Sequence, residues 1–253
     1  MIFSKKLSKQ KDISHCFFNK GGGKSSGIYT SLNCGPGSKD KKDKVRKNLK
    51  IVKNLINKKS RDIFLLHQVH SNKFVFIDKN FNLKKQKMKA DAIITNQAKL
   101  PIAVLTADCV PILIYENKKK MIAAIHAGWK GAFKGIIKNV INFMIKKGCK
   151  KKNICAAIGP CIGPDSYNVR NDFKKKFLKK NKGNKVFFNI KKNVIYFDLP
   201  KYVKSQLKIN KITNIDVKNI DTFNKKNNFF SARQALKSKH DDYGRNISII
   251  MIN

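Results

Sequence analysis

The chain has 253 residues, 42% of them hydrophobic, and a formal net charge of +41. That is ample material for a core, in one large domain or two small ones, and it argues against disorder. The charge suggests nucleic acid as a partner. However, the lysines are spread through nearly every segment, alongside abundant Asn, Ile and Phe, which fits compositional drift and predicts only weak, salt-sensitive adhesion to polyanions.

Residues 1–16 read as a polar leading segment, part of a single 1–253 α/β domain. It lacks the apolar centre of a signal peptide, and no apolar run approaches the roughly 18 residues of a membrane span. Six cysteines without a Cys-x-x-Cys pair fit a reducing compartment. The expectation is therefore a cytoplasmic protein with no membrane partner and no specific nucleic-acid partner, either a monomer or a small homo-oligomer.

The stretch 17–38, FFNKGGGKSSGIYTSLNCGPGS, is a loop where backbone can approach a ligand closely, although its spacing is not that of a Walker loop. A solvated hairpin connection is the plainer alternative. Lys39–Lys58 carries Val45, Leu49, Val52, Leu55 and Ile56 at helical spacing and predicts an amphipathic helix. Ile63–Val69 predicts a strand ending in His70, and Phe74–Ile77 predicts another. A lysine-rich loop, Lys79–Lys89, leads into a strand over Ala90–Thr95. Between Ile102 and Gly131 two apolar runs read as buried strands, interrupted by Asp108-Cys109 and by His126. A carboxylate and an imidazole inside such runs are costly unless paired, hydrogen-bonded or metal-bound. Phe133, Ile136, Ile137, Val140, Ile141 and Met144 then predict one amphipathic helix closed by Gly148. Ile154–Ile158 predicts a strand before the turn Gly159–Pro164. Asn171–Lys180 and Leu199–Leu207 predict helices, and Ile215–Ile220 and Asn246–Ile252 predict strands.

Only five histidines occur. His70, Cys109 and His126 all stand where a strand opens into a loop. Two imidazoles and a thiolate form a recognised zinc donor set with a fourth position open. A metal-free Cys–His pair, with Cys109 as nucleophile and His126 as base, is the competing reading. A copper centre of two His and one Cys is also conceivable, but five histidines are too few for the additional trinuclear cluster of a multicopper oxidase.

The segments His67-Gln68-Val69-His70, Ala90-Asp91-Ala92, Thr106-Ala107-Asp108-Cys109-Val110-Pro111 and His126-Ala127-Gly128-Trp129-Lys130-Gly131 resemble those of the YfiH or laccase-domain family. So do Ile158-Gly159-Pro160-Cys161-Ile162-Gly163, Phe197-Asp198-Leu199, Phe230-Ser231-Ala232-Arg233 and Gly244-Arg245, in the same order over about residues 17–253. The resemblance implies a layered α/β sandwich with mixed sheets, similar in outline to bacterial toxin deamidases. It implies zinc on His70, Cys109 and His126, with copper the less favoured metal.

The family has been named polyphenol oxidase and, later, purine nucleoside phosphorylase with adenosine deaminase activity. The implied substrates are phosphate with adenosine, inosine, guanosine or methylthioadenosine, giving free base and ribose 1-phosphate. A link to peptidoglycan fidelity is implied by resemblance alone. The catalytic group expected is Asp108, Cys109 and His126, with Asp108 either moving protons or orienting a ligand histidine. The substrate contacts expected are Lys20, Gly22, Gly23, Ser25, Asn33, Trp129 and Arg233, with the N–H groups of Gly22–Ser25 offered to phosphate. Three positions depart from the family pattern: Asp221-Thr222 stands for Cys-Thr, Leu49 for the arginine after Asn48, and Lys20 for an arginine.

Overall fold

The computed structural model describes residues 1–82 and 88–253, so part of the Lys79–Lys89 loop lies outside the described residues. In chain order the strands are β1 (Ile13–Phe17), β2 (Phe74–Ile77), β3 (Ala92–Thr95), β4 (Ile102–Thr106), β5 (Val110–Glu116) and β6 (Met121–Ala127). They continue with β7 (Ile154–Ile158), β8 (Asn168–Val169), β9 (Phe188–Lys191), β10 (Val194–Phe197), β11 (Asn214–Val217) and β12 (Asn246–Ile252). The helices are α1 (Lys42–Asn57), α2 (Trp129–Lys134), α3 (Ile136–Lys146), α4 (Asn171–Lys180), α5 (Leu199–Ile209) and α6 (Ala232–Lys237).

Two sheets stack on one another. The larger runs β11-β7-β5-β6-β3-β2, with β11–β7 and β2–β3 parallel and the other pairs antiparallel. The smaller runs β1-β12-β4 and is antiparallel. Alternation along β6 explains how the layers meet. Met121, Ala123, Ile125 and Ala127 face a core shared with α3 and α5. Ile122 and Ala124 face a second core shared with Ile102, Val104, Ile250 and Ile252 of the smaller sheet. The outer face of the smaller sheet meets Val52 and Leu49 of α1. The result is a mixed α/β sandwich of two sheets between helical layers, as the family resemblance implied.

Several sequence expectations need correction. Residues 1–16 are built into the fold: Leu7 is fully buried, and Ile13–Phe17 is an edge strand on β12. Ile63–Val69 is not a strand and makes only single bridges, Phe64 to Ile102 and His67 to Lys89. The helix expected after Trp129 is two helices, because Gly135 has φ +90 and serves as C-cap of α2 and N-cap of α3. Strand β11 stops at Val217. The small sheet β8-β10-β9 had no sequence expectation; its strands are two to four residues long and only Phe197 in them is buried, so no burial pattern marks them.

Candidate active site

The site lies at the strand ends where the chain passes from one sheet to the other. Strand β4 belongs to the smaller sheet and β5 to the larger, so Ala107–Cys109 cross between them. Asp108 makes the crossing turn in the left-handed region, at φ +85. The β5–β6 register, Val110 opposite Ala127, places Cys109 opposite Gly128 when carried one step further. A Cβ at Gly128 would lie 2.8 Å from both Cys109 Sγ and His70 Cδ2. Glycine is therefore what lets these two side chains close over the strand end.

The β3–β6 register likewise extends from Ala92–Ile125 to Asp91–His126, and the His126 N–H donates to the Asp91 carbonyl at 2.8 Å. Both side chains then point to the same face of the larger sheet. Asp91 is fully buried, and its carboxylate accepts from His126 Nδ1 at 2.8 Å. His70 arrives on a turn that Gln68 ties to β4, through bonds of 2.7 and 2.8 Å to the Leu105 carbonyl and N–H.

The donor atoms of His70, Cys109 and His126 all lie within 4.8 Å of one another, and Cys109 Sγ is 3.7 Å from His70 Nε2. This is the single group of its kind among the described residues. Its electrostatics favour a thiolate. Desolvation raises the Cys109 pKa, but attraction to His126 and hydrogen bonds with His126 and His70 outweigh it and leave the thiol below its ordinary value. Desolvation lowers His126, while the Cys109 charge and the Asp91 bond outweigh that and raise it. Two imidazoles and a low-pKa thiol, one imidazole being anchored by a buried carboxylate, fit a tetrahedral metal ion with an open position.

The donors open onto a cleft of about 800 Å³. Its walls include Leu49, His67, Lys89, Tyr243 and Arg245. The Arg245 guanidinium lies 4.7 Å from the Tyr243 ring and is steadied by the Tyr243 carbonyl at 2.7 Å and by Asp242 at 3.2 Å. Lys89 makes no ion pair among the described residues. Leu49, one of the departures from the family pattern, forms apolar wall.

None of the seven expected substrate contacts lines this cleft. The glycine loop is turned inward. The N–H groups of Gly23, Lys24 and Ser25 donate to Ser31 Oγ, Asn48 Oδ1 and the Ser31 carbonyl, so they are not offered to phosphate. Ser25 donates to Asp40 at 2.6 Å, and Asn33, fully buried, donates to Ser38 and Asp40. Gly22 has φ +85 and open space around it. Lys20 lines a separate cavity of about 370 Å³ beside Asn228 and His240. Trp129 packs 5.0 Å from the Phe173 ring, and Arg233 donates to Asn168.

Asp108 also differs from expectation. Thr222 Oγ1 occupies one oxygen at 2.7 Å, while Ser231 Oγ and the Arg233 N–H occupy the other at 2.9 and 2.7 Å. The carboxylate thus ties the Cys109 turn to the start of α6, and the carboxylate that contacts a histidine of the three-donor group is that of Asp91. Asp221 has a turn role, accepting from Gly163 N, Phe223 N and Ser166 Oγ. Sequence reasoning missed Asp91, Lys89, Tyr243 and Arg245 as site residues. A carboxylate opening an apolar strand was the available signal for Asp91; the other three lie in polar segments with no such contrast.

A three-donor centre at the open seam of a two-sheet α/β sandwich defines the class of protein. The chain belongs to the family described as multi-copper polyphenol oxidoreductase laccase, whose family model matches residues 14–253. A purine nucleoside phosphorylase of Rickettsia prowazekii is 41% identical over 181 residues, covering 70% of this chain and 72% of that one. A purine nucleoside phosphorylase of Haemophilus influenzae is 30% identical over 243 residues, covering 95% and 94%. The crystal structure of Bacillus licheniformis YfiH superposes with TM-score 0.85 at 27% identity, covering 95% and 93%. The expected kinship with YfiH proteins is borne out. No helix of the described residues is long and apolar enough to cross a membrane.

Proposed function

We propose that the protein is a metal-dependent purine nucleoside phosphorylase. The observation that carries this is the His70–Cys109–His126 group opening onto a cleft walled by Arg245 and Lys89. Relatives at 30% identity or more that bear the phosphorylase name support it. Zinc is the metal that the donor set favours, with copper second. When bound, it acts as a Lewis acid toward an oxygen of the substrate or of water. The chain's own residues do the rest. His70, Cys109 and His126 hold the ion, and the carboxylate of Asp91 keeps the His126 ring in place. Arg245 and Lys89 attract and orient phosphate by charge-assisted hydrogen bonds. Tyr243 and the apolar wall at Leu49 receive the base and exclude water from the reacting bond.

Adenosine deamination is the proposed second activity of the same centre. Zinc-loaded protein should release base and ribose 1-phosphate from inosine, guanosine or adenosine, and adenine and 5-methylthioribose 1-phosphate from methylthioadenosine, in proportion to added phosphate. Arg245→Ala should raise the KM for phosphate about tenfold or more. Absence of phosphate-dependent base release and of ammonia from adenosine would reject the reading.

One observation favours a second reading, a metal-free thiol hydrolase or deamidase. Cys109, His126 and Asp91 stand in the order nucleophile, base and orienting carboxylate. Metal content separates the two readings. One ion per chain, lost in Cys109→Ser, supports the first; stoichiometric alkylation of Cys109 in metal-free, active protein supports the second.

A further inference from the structure

The carboxylate of Asp91 does more than hold one imidazole. Its Oδ1 accepts from the N–H groups of Val69 at 3.1 Å and His70 at 2.9 Å. Its Oδ2 accepts from Ser71 N at 2.6 Å and Ser71 Oγ at 2.7 Å. Three successive backbone N–H groups thus converge on one anion. The middle residue, His70, has φ +57, a conformation non-glycine residues rarely adopt. Consecutive N–H groups wrapped round an anion through a left-handed residue form a backbone nest. Here the anion is internal and fully buried, so no water or solute ion can take its place.

We propose that Asp91 is the positioning residue of the whole metal centre: one carboxylate, seated in the nest at 69–71, sets two of the three ligands before an ion binds. Toward His70 it acts through the backbone, holding the turn in the conformation that carries the ring to within 3.7 Å of Cys109. Toward His126 it acts through the side chain. A carboxylate only accepts, so Nδ1 must donate to it, and Nε2 is the nitrogen left to face the other donors. The two effects are joined because Val69 N, His70 N and His126 Nδ1 all address the same oxygen. This inference rests on the metal-binding reading of the site and not on the identity of the substrate.

The decisive variant is Asp91→Asn, which keeps the shape and changes the chemistry. An amide has one accepting oxygen and one donating nitrogen. The five donors around Asp91 cannot all be met, and the amide NH₂ must confront either the nest or His126 Nδ1. Zinc affinity, measured by competition with a chromophoric chelator, should fall at least 10- to 100-fold. In the cobalt-loaded variant the visible bands should also change shape, because ligand geometry as well as affinity is disturbed. Ser71→Ala removes one hydroxyl, keeps the nest, and should cost only a few-fold. A folded Asp91→Asn protein that binds zinc within twofold of wild type would overturn the proposal. Should that variant not fold, ¹⁵N NMR of the zinc-loaded wild type decides. A slowly exchanging His126 Nδ1–H with Nε2 bound to metal supports the proposal, and Nδ1 ligation overturns it. A wild type that binds no metal would reject the metal reading itself, which separates the two failures.

Discussion

At the scale of single residues, this chain gives its buried polar side chains partners: among the described residues only Glu116 Oε1 is buried without a hydrogen bond. His15 is 5% exposed on β1, and its Nε2 accepts from the Ser4 N–H at 2.9 Å. Burial, together with the Lys218 charge, outweighs nearby Asp216 and lowers its pKa to about 4. The unfolded chain takes up a proton near pH 6.5, whereas the folded one resists until about pH 4. Protons therefore bind the unfolded state preferentially in that window, and the stability of the fold falls as pH drops through it. The loss should approach about 3 kcal/mol by the lower end. In urea titrations from neutral pH to about pH 4, His15→Gln should lose less stability than wild type by that amount. Equal slopes for the two proteins would refute this.

At the scale of elements, register and turns decide the chemistry. Strands β5 and β6 were legible from their apolar runs, and so were the three donors, because thiol and imidazole stand out against isoleucine and alanine. What could not be read was which polar residue each donor would meet. Asp108 adjoins Cys109 in sequence, yet its carboxylate is spent on Thr222, Ser231 and Arg233. Asp91, 35 residues from His126, meets it because antiparallel pairing makes them cross-strand neighbours. Pairing partners come from long-range topology, which a local pattern does not encode. The same limit hid the break at Gly135, since the apolar spacing runs on across it. A Cβ at Gly135 would meet nothing within 4 Å, so Gly135→Ala isolates the conformational cost of φ +90. The variant should lose about 1–2 kcal/mol. In thermal unfolding this should appear as a Tm drop of a few degrees, with zinc affinity unchanged.

At the scale of the molecule, charge is the unbalanced quantity. The chain has 56 basic and 15 acidic residues, and five of the acidic ones, Asp40, Asp91, Asp108, Glu116 and Asp242, are buried. The surface therefore repels itself even more than the net charge suggests. Raising salt from about 20 mM to about 300 mM shortens the Debye length from roughly 20 Å to roughly 6 Å. The Tm should rise over that range, and retention on DNA should vanish; a Tm that is flat or falling would show that the charges are already compensated. The two-sheet architecture has a last consequence, for how the chain can change over evolution. Packed sheets lie about 10 Å apart. The four steps from Thr106 to Val110 reach at most about 14 Å. The crossing that carries Cys109 has only about one residue of slack, so lineages can lengthen the turn at 117–120 more freely than the crossing at 107–109, where an inserted or deleted residue would shift the sulfur relative to His70 and His126.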